Sequence, residues 1–152
     1  MLYMDGRYFK YKELVYSEKA IKLKIDNTPT EEIKAHLEEL IPFLDGIREA
    51  WGSAVIVTSG YRCYELNKAV DGSKTSSHLY GWAVDLRPKN GYVNIFFDFV
   101  IKYFKQHGIP FDQIIDEYGK KSHWVHIGLK HKDGRQRKQI LIYRNGIYHT
   151  YE

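Results

Sequence analysis

Two short segments, 82–86 (WAVDL) and 123–129 (HWVHIGL), constrain what this chain can fold into more than any other part of it. In both segments apolar residues alternate with other residues, which predicts β-strands whose successive side chains point to opposite faces. Val84 and Leu86 then share one face of the first strand, and Asp85 lies on the other. A sheet is therefore expected that buries one face and carries polar side chains on the opposite face.

A histidine occupies the corresponding face of the second segment. If the two strands are neighbours, His126 lies on the same face as Asp85. His78 precedes Gly81, a glycine at which the chain can turn sharply and carry the imidazole back over the first strand. Two imidazoles and one carboxylate make a three-ligand zinc site with an open fourth position, the arrangement typical of catalytic zinc. From spacing alone, a surface histidine and an aspartate that ends a strand explain the pattern equally well. Four other histidines are interpreted as ordinary surface or core residues: His36, His107, His131 and His149.

The segment 27–44 (NTPTEEIKAHLEELIPFL) is predicted to form a helix, because its apolar residues recur at helical spacing. Thr28 is expected to cap its amino end, Pro29 fits the first helical position, and Glu31 completes a capping box. Pro42 lies inside the run, where its ring and its missing N–H are expected to kink or divide the helix.

The rest of the chain is predicted to contain mostly strands. Strands are expected over 53–60, 81–88, 111–119 and 123–130, a hairpin over 139–151 that turns at Asn145-Gly146, and helices over 63–70 and 92–108. This order predicts an α+β fold with a small, largely antiparallel sheet and helices packed on one side of it. With 152 residues, the chain is expected to form a single domain over 1–152.

Three motifs give the chain a specific resemblance to a known family. SGYR (59–62), S-x-H-x-x-G-x-A-x-D (76–85) and WVHI (124–127) together resemble the zinc peptidases of the M15 family. Within that family the chain looks like the D-Ala-D-Ala carboxypeptidase-like subfamily, which is related to the vancomycin-resistance dipeptidases and to phage L-Ala-D-Glu endopeptidase lysins. The similarity extends over most of the chain, and it implies the fold of the hedgehog and D-Ala-D-Ala peptidases.

The resemblance also implies roles for five residues. His78, Asp85 and His126 are the implied ligands of one Zn2+ per chain, and zinc activates a water that attacks the scissile peptide bond. Arg62 is the arginine that holds the scissile carbonyl oxygen as it becomes an oxyanion. Ser76 lies near the substrate in the family, although a serine that caps a loop explains it as well. The implied function is hydrolysis of peptide bonds in bacterial peptidoglycan, by a D-Ala-D-Ala carboxypeptidase or an endolysin-type endopeptidase.

The general base is where the sequence departs from the family pattern. Relatives often carry a Glu or Asp three residues before the last ligand, and this chain has His123 there. A regular strand sends His123 and His126 to opposite faces, so a bulge or a later strand start is needed to bring His123 to the site. Glu117 and Asp116, in the preceding strand, are the rival bases. His123 is the preferred base and Glu117 the second choice.

Other functions are less favoured. A cysteine nucleophile at Cys63 needs a paired histidine and an orienting group, and the neighbouring sequence supplies neither. The alternative function is a peptidoglycan-binding or structural module that keeps the zinc site but has little or no activity, and the unusual residue at the base position motivates it. A peptidase for peptides from another source is a third hypothesis.

Charge and composition bound the partners and the location. A net charge of +4 permits attraction to anionic polymers, but aromatic residues are not interleaved with the basic segment 130–139, so nucleic acid is not an expected partner. No run approaches the roughly 20 apolar residues of a membrane span, and the segment 1–16 lacks the apolar core of a signal peptide. The chain is expected to be a monomer that is made in the cytoplasm and acts on the cell wall. A phage origin and release by a holin-like route fit this expectation.

Overall fold

The computed structural model describes residues 5–151, so the ends of the predicted domain 1–152 and the start of the segment 1–16 lie outside the described residues. The helices are α1 (Tyr11–Val15), α2 (Glu18–Leu23), α3 (Glu31–Trp51), α4 (Tyr64–Ala69) and α5 (Val93–Gln106), and a short 3-10 helix spans Ser77–Tyr80. The strands are β1 (Val55–Ser59), β2 (Ala83–Pro88), β3 (Gln113–Tyr118), β4 (His123–Gly128), β5 (Gln139–Arg144) and β6 (Ile147–Thr150).

These six strands form one sheet in the order β1-β2-β4-β3-β5-β6. Every neighbouring pair is antiparallel except β3 and β5, which run parallel. The prediction of an α+β fold with a largely antiparallel sheet is confirmed. Because β2 and β4 are direct neighbours, the polar side chains of the two alternating segments share one face of the sheet.

The two long helices, α3 and α5, cover the opposite face. Apolar side chains from both helices and from alternate strand positions form one buried cluster, which includes Leu37, Leu44, Phe96, Val84 and Ile127. A side chain of this size contributes roughly 1.5–3 kcal/mol to folding when it is fully buried. The core thus fixes one face of the sheet and leaves the other face for polar side chains, and the packing of helices on one side is confirmed.

The start of α3 differs from the prediction. Thr30, not Thr28, caps the helix, and its Oγ1 accepts a hydrogen bond from a backbone N–H three residues later at 3.3 Å. Thr28 instead donates its hydroxyl to the carboxylate of Asp26, at 2.6 Å, in the loop before the helix. Pro29 therefore precedes the helix, and Glu31 is its first residue rather than the closing member of a capping box.

Of the two outcomes predicted at Pro42, a kink or a division, the division is wrong, because α3 runs without interruption from Glu31 to Trp51. A proline inside a helix costs about 3 kcal/mol through the lost hydrogen bond and the clash of its ring. On both sides of Pro42, α3 buries apolar side chains of the same core, among them Leu40 and Leu44. Their burial outweighs the local cost, so the helix continues.

The carboxyl-terminal hairpin, β5 and β6, turns where the sequence predicts. Asn145 and Gly146 adopt positive φ angles of 54° and 75°, which the favoured two-residue hairpin turn requires. The hairpin joins the sheet through the parallel pairing of β5 with β3. This placement makes β6 one edge of the sheet and brings both strands of the hairpin alongside the polar face.

Candidate metal centre and catalytic cleft

Asp85 and His126 come together because β2 and β4 pair in register. The two residues are directly opposite each other, and opposed residues on neighbouring strands project from the same face. Nδ1 of His126 lies 3.0 Å from Oδ1 of Asp85. Gly128 borders the imidazole, and a Cβ at that position would lie in van der Waals contact with its Nε2, at 3.4 Å. Strand alternation and register together produce this contact, as the sequence predicts.

His78 reaches the same place from the 3-10 helix rather than from the sheet. Its Nδ1 lies 2.7 Å from the carbonyl oxygen of Gly60. A carbonyl only accepts hydrogen bonds, so Nδ1 carries the proton and Nε2, which lies 3.3 Å from Oδ1 of Asp85, is left free to bind a metal. Gly81 ends the 3-10 helix with a φ of 74°, and a Cβ there would lie 2.9 Å from a side chain of α3. This glycine provides the sharp return into β2.

His78, Asp85 and His126 form a compact, buried group. One potential ligand atom from each residue lies within 4.8 Å of the others, and no residue of the three is more than 7% exposed. Two imidazole nitrogens and one carboxylate oxygen suit Zn2+, and the bond from His78 to a backbone carbonyl is the outer contact that typically orients a ligating histidine. The donor set therefore fits a zinc ion, with a fourth position left for water or substrate.

Burial and mutual contacts shift the pKa values of this group. Burial acts to raise the pKa of Asp85, but His78 and His126 outweigh it and hold that pKa below its usual range. Burial lowers the pKa of His78. Burial also acts to lower the pKa of His126, yet the hydrogen bond to Asp85 leaves that pKa raised overall. At neutral pH the group thus offers a carboxylate and at least one neutral imidazole, which are the forms that bind a metal.

Glu117, on β3, is the acidic side chain next to this group. Its Oε1 lies 3.5 Å from Nδ1 of His126. Burial, followed by the negative charge of Asp85, raises the pKa of Glu117 to about 7. A carboxyl group with such a pKa can both take up and release a proton near neutral pH, as a general base or acid must.

The structure does not bring His123 to the metal group. The β3–β4 register is regular over the whole of both strands, with no bulge that would turn His123 towards His126. His123 therefore projects from the helix-packed face, where its ring stacks on Tyr118 at a centroid distance of 3.9 Å. Its Nε2 forms a short hydrogen bond with Asp116, which is buried on that same face. Of the candidate bases, only Glu117 contacts the metal group.

Arg62 faces the group from the SGYR turn. Its two terminal nitrogens lie 3.5 Å from the hydroxyl of Ser59 and 3.4 Å from the hydroxyl of Ser76, and its backbone N–H donates to the carbonyl of His78 at 3.2 Å. Burial lowers the pKa of Arg62, against the effect of Asp85. Ser76 caps the 3-10 helix, because its hydroxyl oxygen accepts a hydrogen bond from the N–H of His78. Ser76 also lines the cleft, so both interpretations of this serine fit the structure.

Asn27 holds the same turn in place, and sequence reasoning did not find it. Its amide donates at 3.0 Å to the carbonyls of Val15 and of Tyr61, and its Oδ1 accepts from the N–H of Cys63 at 2.8 Å. Cys63 in turn caps α4, with its Sγ accepting from the N–H of Leu66 at 3.4 Å. The sequence around Asn27 reads as an ordinary loop before a helix, so only the fold reveals this contact.

The metal group opens into a cleft of about 610 Å³. One wall is the loop that carries Gly72 and Ser76, and the lining continues past Glu117 to Tyr143 and Tyr148 of the carboxyl-terminal hairpin. Sequence reasoning did not single out these two tyrosines. Strand alternation within 139–151 indicates which face of the hairpin each tyrosine occupies. The alternation does not show which strand pairs with β5, so it could not place the tyrosines in a site.

The remaining histidines and the basic segment have structural contacts of their own. His131 lines the cleft and lies 3.1 Å from a terminal nitrogen of Arg137. That guanidinium makes two 2.8 Å hydrogen bonds to the fully buried carboxylate of Asp112, which ties the basic segment to the start of β3. Five of the seven histidines take no part in the metal group: His36, His107, His123, His131 and His149.

A protein-family model described as Peptidase M15 matches residues 7–128. The match includes all of the residues around the metal group and ends before the β5–β6 hairpin. A search of curated proteins finds no match. Among the described residues, no helix has both the length and the apolar character needed to cross a membrane.

Proposed function

Because the chain belongs to the peptidase M15 family, a family of zinc-dependent peptidases, we propose that it hydrolyses peptide bonds in bacterial peptidoglycan. One observation carries the proposal. A buried His-Asp-His group, a carboxyl group with a pKa of about 7 and a half-buried arginine all meet in one cleft. These are the parts that metal-assisted hydrolysis of an amide needs.

His78, Asp85 and His126 would hold one Zn2+ ion. When bound, zinc supplies Lewis-acid chemistry that activates water and polarises the scissile carbonyl. The protein's contribution is to present three ligands from a rigid sheet and a short helix, with His78 oriented by the Gly60 carbonyl. The low exposure of all three residues keeps competing water away from the ligands.

Glu117 is the general base of the proposed reaction. As a carboxylate it accepts the proton of the attacking water, and it then delivers that proton to the leaving amine nitrogen. Its position beside His126 places it next to the metal group, where both transfers are short. This role replaces the one considered for His123, whose imidazole is engaged with Asp116 on the other face of the sheet.

Arg62 stabilises the negative charge that develops on the carbonyl oxygen. Its guanidinium stays charged throughout the pH range of catalysis and offers several donors in one plane. The hydrogen bonds to Ser59 and Ser76 are long, at 3.5 and 3.4 Å, so the donors are free to shorten their contacts to a substrate. The backbone contact to His78 keeps the arginine in a fixed relation to the metal group.

The choice of peptidoglycan rests on the chain's motifs and charge. SGYR (59–62) and the S-x-H-x-x-G-x-A-x-D motif (76–85) resemble those of D-Ala-D-Ala peptidases and phage lysins. The net charge of +4 favours approach to anionic wall polymers. The alternative function, a binding module without turnover, is motivated by the residue at position 123. The carboxylate of Glu117 beside the metal group supports an active enzyme instead.

Digestion of purified peptidoglycan tests the proposal. Walls of several types are incubated with the zinc-loaded protein, with and without a zinc chelator, and the products are analysed by mass spectrometry. Chelator-sensitive release of peptides is expected, and the product masses identify the bond that is cut. Glu117→Gln is the matched control, because it removes the base and leaves all three ligands in place. No cleavage of any wall type would overturn the proposed substrate.

A further inference from the structure

One transverse row of side chains connects the catalytic residues to the carboxyl-terminal hairpin. In the sheet register Glu117 is opposite Trp124 on one side and Tyr143 on the other, and Tyr143 is opposite Tyr148. Opposed residues share a face, so the row runs Trp124, Glu117, Tyr143, Tyr148 across four strands on the side of the metal group. All four side chains line the same cleft.

The two tyrosines form an aromatic surface that the structure leaves open to a ligand. Their ring centroids lie 4.6 Å apart, and Tyr148 is 56% exposed although it lies in a strand. Two large rings with hydroxyl tips bury considerable apolar area when a ligand covers them, and they also offer hydrogen bonds at the rim. Neither ring contributes to the buried core on the other face of the sheet.

Strand spacing sets the length of substrate that reaches this surface. Neighbouring strands are about 4.8 Å apart, so Tyr148 lies two strands, or roughly 10 Å, from Glu117. An extended peptide advances about 3.3 Å per residue. A substrate whose scissile bond is next to Glu117 therefore needs about three residues on one side of that bond to cover both rings.

We propose that Tyr143 and Tyr148 form a substrate subsite that binds a neutral, extended peptide segment about three residues long on one side of the scissile bond. The segment is neutral because the row presents only aromatic rings and hydroxyl groups beyond Glu117. The subsite lies outside the residues matched by the family model, 7–128. This inference rests on the proposed peptidase function, and it makes the enzyme one that prefers long peptides to dipeptides.

Synthetic peptides that contain the bond identified in the wall digest test the subsite. One series is lengthened from one to four residues on the amino side of the bond, and the other on the carboxyl side. With the zinc-loaded protein, kcat/KM is expected to rise about tenfold by the third residue in one series only. Tyr148→Ala is expected to abolish that rise, mainly through KM, and to affect the shortest peptide much less than the longest.

Ile147→Ala is the matched control. Ile147 is the neighbouring residue on the same strand, is equally exposed at 57%, and projects to the other face. It should behave as the unaltered protein on every peptide. If Tyr148→Ala matches this control on all peptides, or if it slows the shortest peptide as much as the longest, the subsite is wrong.

Binding separates this inference from the proposed function. If the unaltered protein cuts no peptide and no wall, the peptidase proposal fails. Titration calorimetry of the zinc-loaded protein with the same peptides then decides the subsite alone. Length-dependent affinity that Tyr148→Ala abolishes and Ile147→Ala keeps would support it, and affinity independent of length or of Tyr148 would overturn it.

Discussion

His123 and Glu117 show how a single strand register decides the role of a residue. Glu117 contacts His126, whereas His123 binds Asp116 on the opposite face. Glu117→Gln is therefore expected to keep zinc and to lower kcat by roughly 100- to 10,000-fold, the usual contribution of a general base. Zinc content and steady-state kinetics on the wall-derived peptide check this.

His123→Ala is the contrasting variant. It leaves the buried carboxylate of Asp116 without its partner, so the free energy of unfolding should fall by about 1–3 kcal/mol. The kcat of the folded protein should stay within a few fold of the unaltered value. A large loss of kcat in His123→Ala, with Glu117→Gln still active, would reverse the assignment of the base.

The histidines of the metal group lead to a second prediction at the residue scale. His126→Ala removes one of the three proposed ligands, so zinc binding and peptidase activity should be lost together. His149→Ala, which alters an exposed histidine of β6, is the control and should keep both. Metal content after dialysis and activity on the same sample provide the comparison. Full activity in His126→Ala would show that it is not a ligand.

A substitution at Arg62 separates the effect of its positive charge from the effect of its planar set of hydrogen-bond donors. Arg62→Lys keeps a positive charge but loses the planar set of donors. If the guanidinium binds the developing oxyanion, kcat should fall about 100- to 1,000-fold, with zinc content unchanged. Equal kcat in Arg62→Lys and the unaltered protein would mean that the arginine does not act on the carbonyl oxygen.

The residues themselves were only partly predictable. Asp85 and His126 follow from strand alternation, because both strands bury one face and the pattern of apolar residues shows which one. The identity of the general base does not follow from the sequence, because a bulge that would bring His123 to the site leaves no mark in the alternation of apolar residues. Asn27 is also invisible in the sequence, since its three hydrogen bonds join parts of the chain that only the fold brings together.

At the scale of elements, the short helix α1 supports the turn that orients His78. A Cβ at Gly60 would lie 2.1 Å from the carbonyl oxygen of Leu14, which itself accepts the N–H of Tyr61 at 2.7 Å. Gly60→Ala should therefore push α1 away from β1 and move the Gly60 carbonyl that holds His78. Zinc affinity should fall about 10- to 100-fold, as expected when the outer partner of a ligand is disturbed.

Gly91→Ala is the control for the glycine substitution. Gly91 has a φ of 84°, and nothing lies within 4 Å of the added Cβ. It should lower stability by about 1 kcal/mol through backbone strain alone and leave zinc affinity unchanged. A competitive zinc chelator measures both affinities. Equal zinc affinity in Gly60→Ala and Gly91→Ala would argue against a link between α1 and the metal centre.

The helices and strands were more predictable than their exact ends and than the order of the strands within the sheet. Alternation and the Asn-Gly turn located the strands, since these patterns are local. The helix is not divided at Pro42, because burial on both sides of the proline is a tertiary effect that the local sequence does not show. The parallel pairing of β5 with β3 had no local signal, so the position of the hairpin beside the cleft could not be read from the sequence.

At the scale of the whole molecule, the metal centre links distant parts of the chain. His78 lies in the 3-10 helix, and Asp85 and His126 lie in two paired strands, so a bound ion joins three elements. A ligand at 100 times its Kd that binds only the folded state stabilises a protein by about 2.7 kcal/mol. For a chain of this size, this corresponds to an increase in Tm of about 5 to 10 °C.

Thermal unfolding with and without a chelator checks this increase. Glu117→Gln should show the same increase on addition of zinc, and His126→Ala should show none. An unchanged Tm in the unaltered protein, with and without zinc, would mean that the His-Asp-His group does not bind the ion at the concentrations used.

The parallel attachment of the β5–β6 hairpin also has an evolutionary consequence. The His-Asp-His group and the proposed base Glu117 belong to the segment before residue 129, and the hairpin follows as a separate stretch that joins the sheet by pairing with β3. Mutation or recombination in the part of the gene that encodes the hairpin can therefore remodel the cleft wall without disturbing the His-Asp-His group. A lineage with this architecture can inherit its metal centre unchanged and still adapt to new substrates.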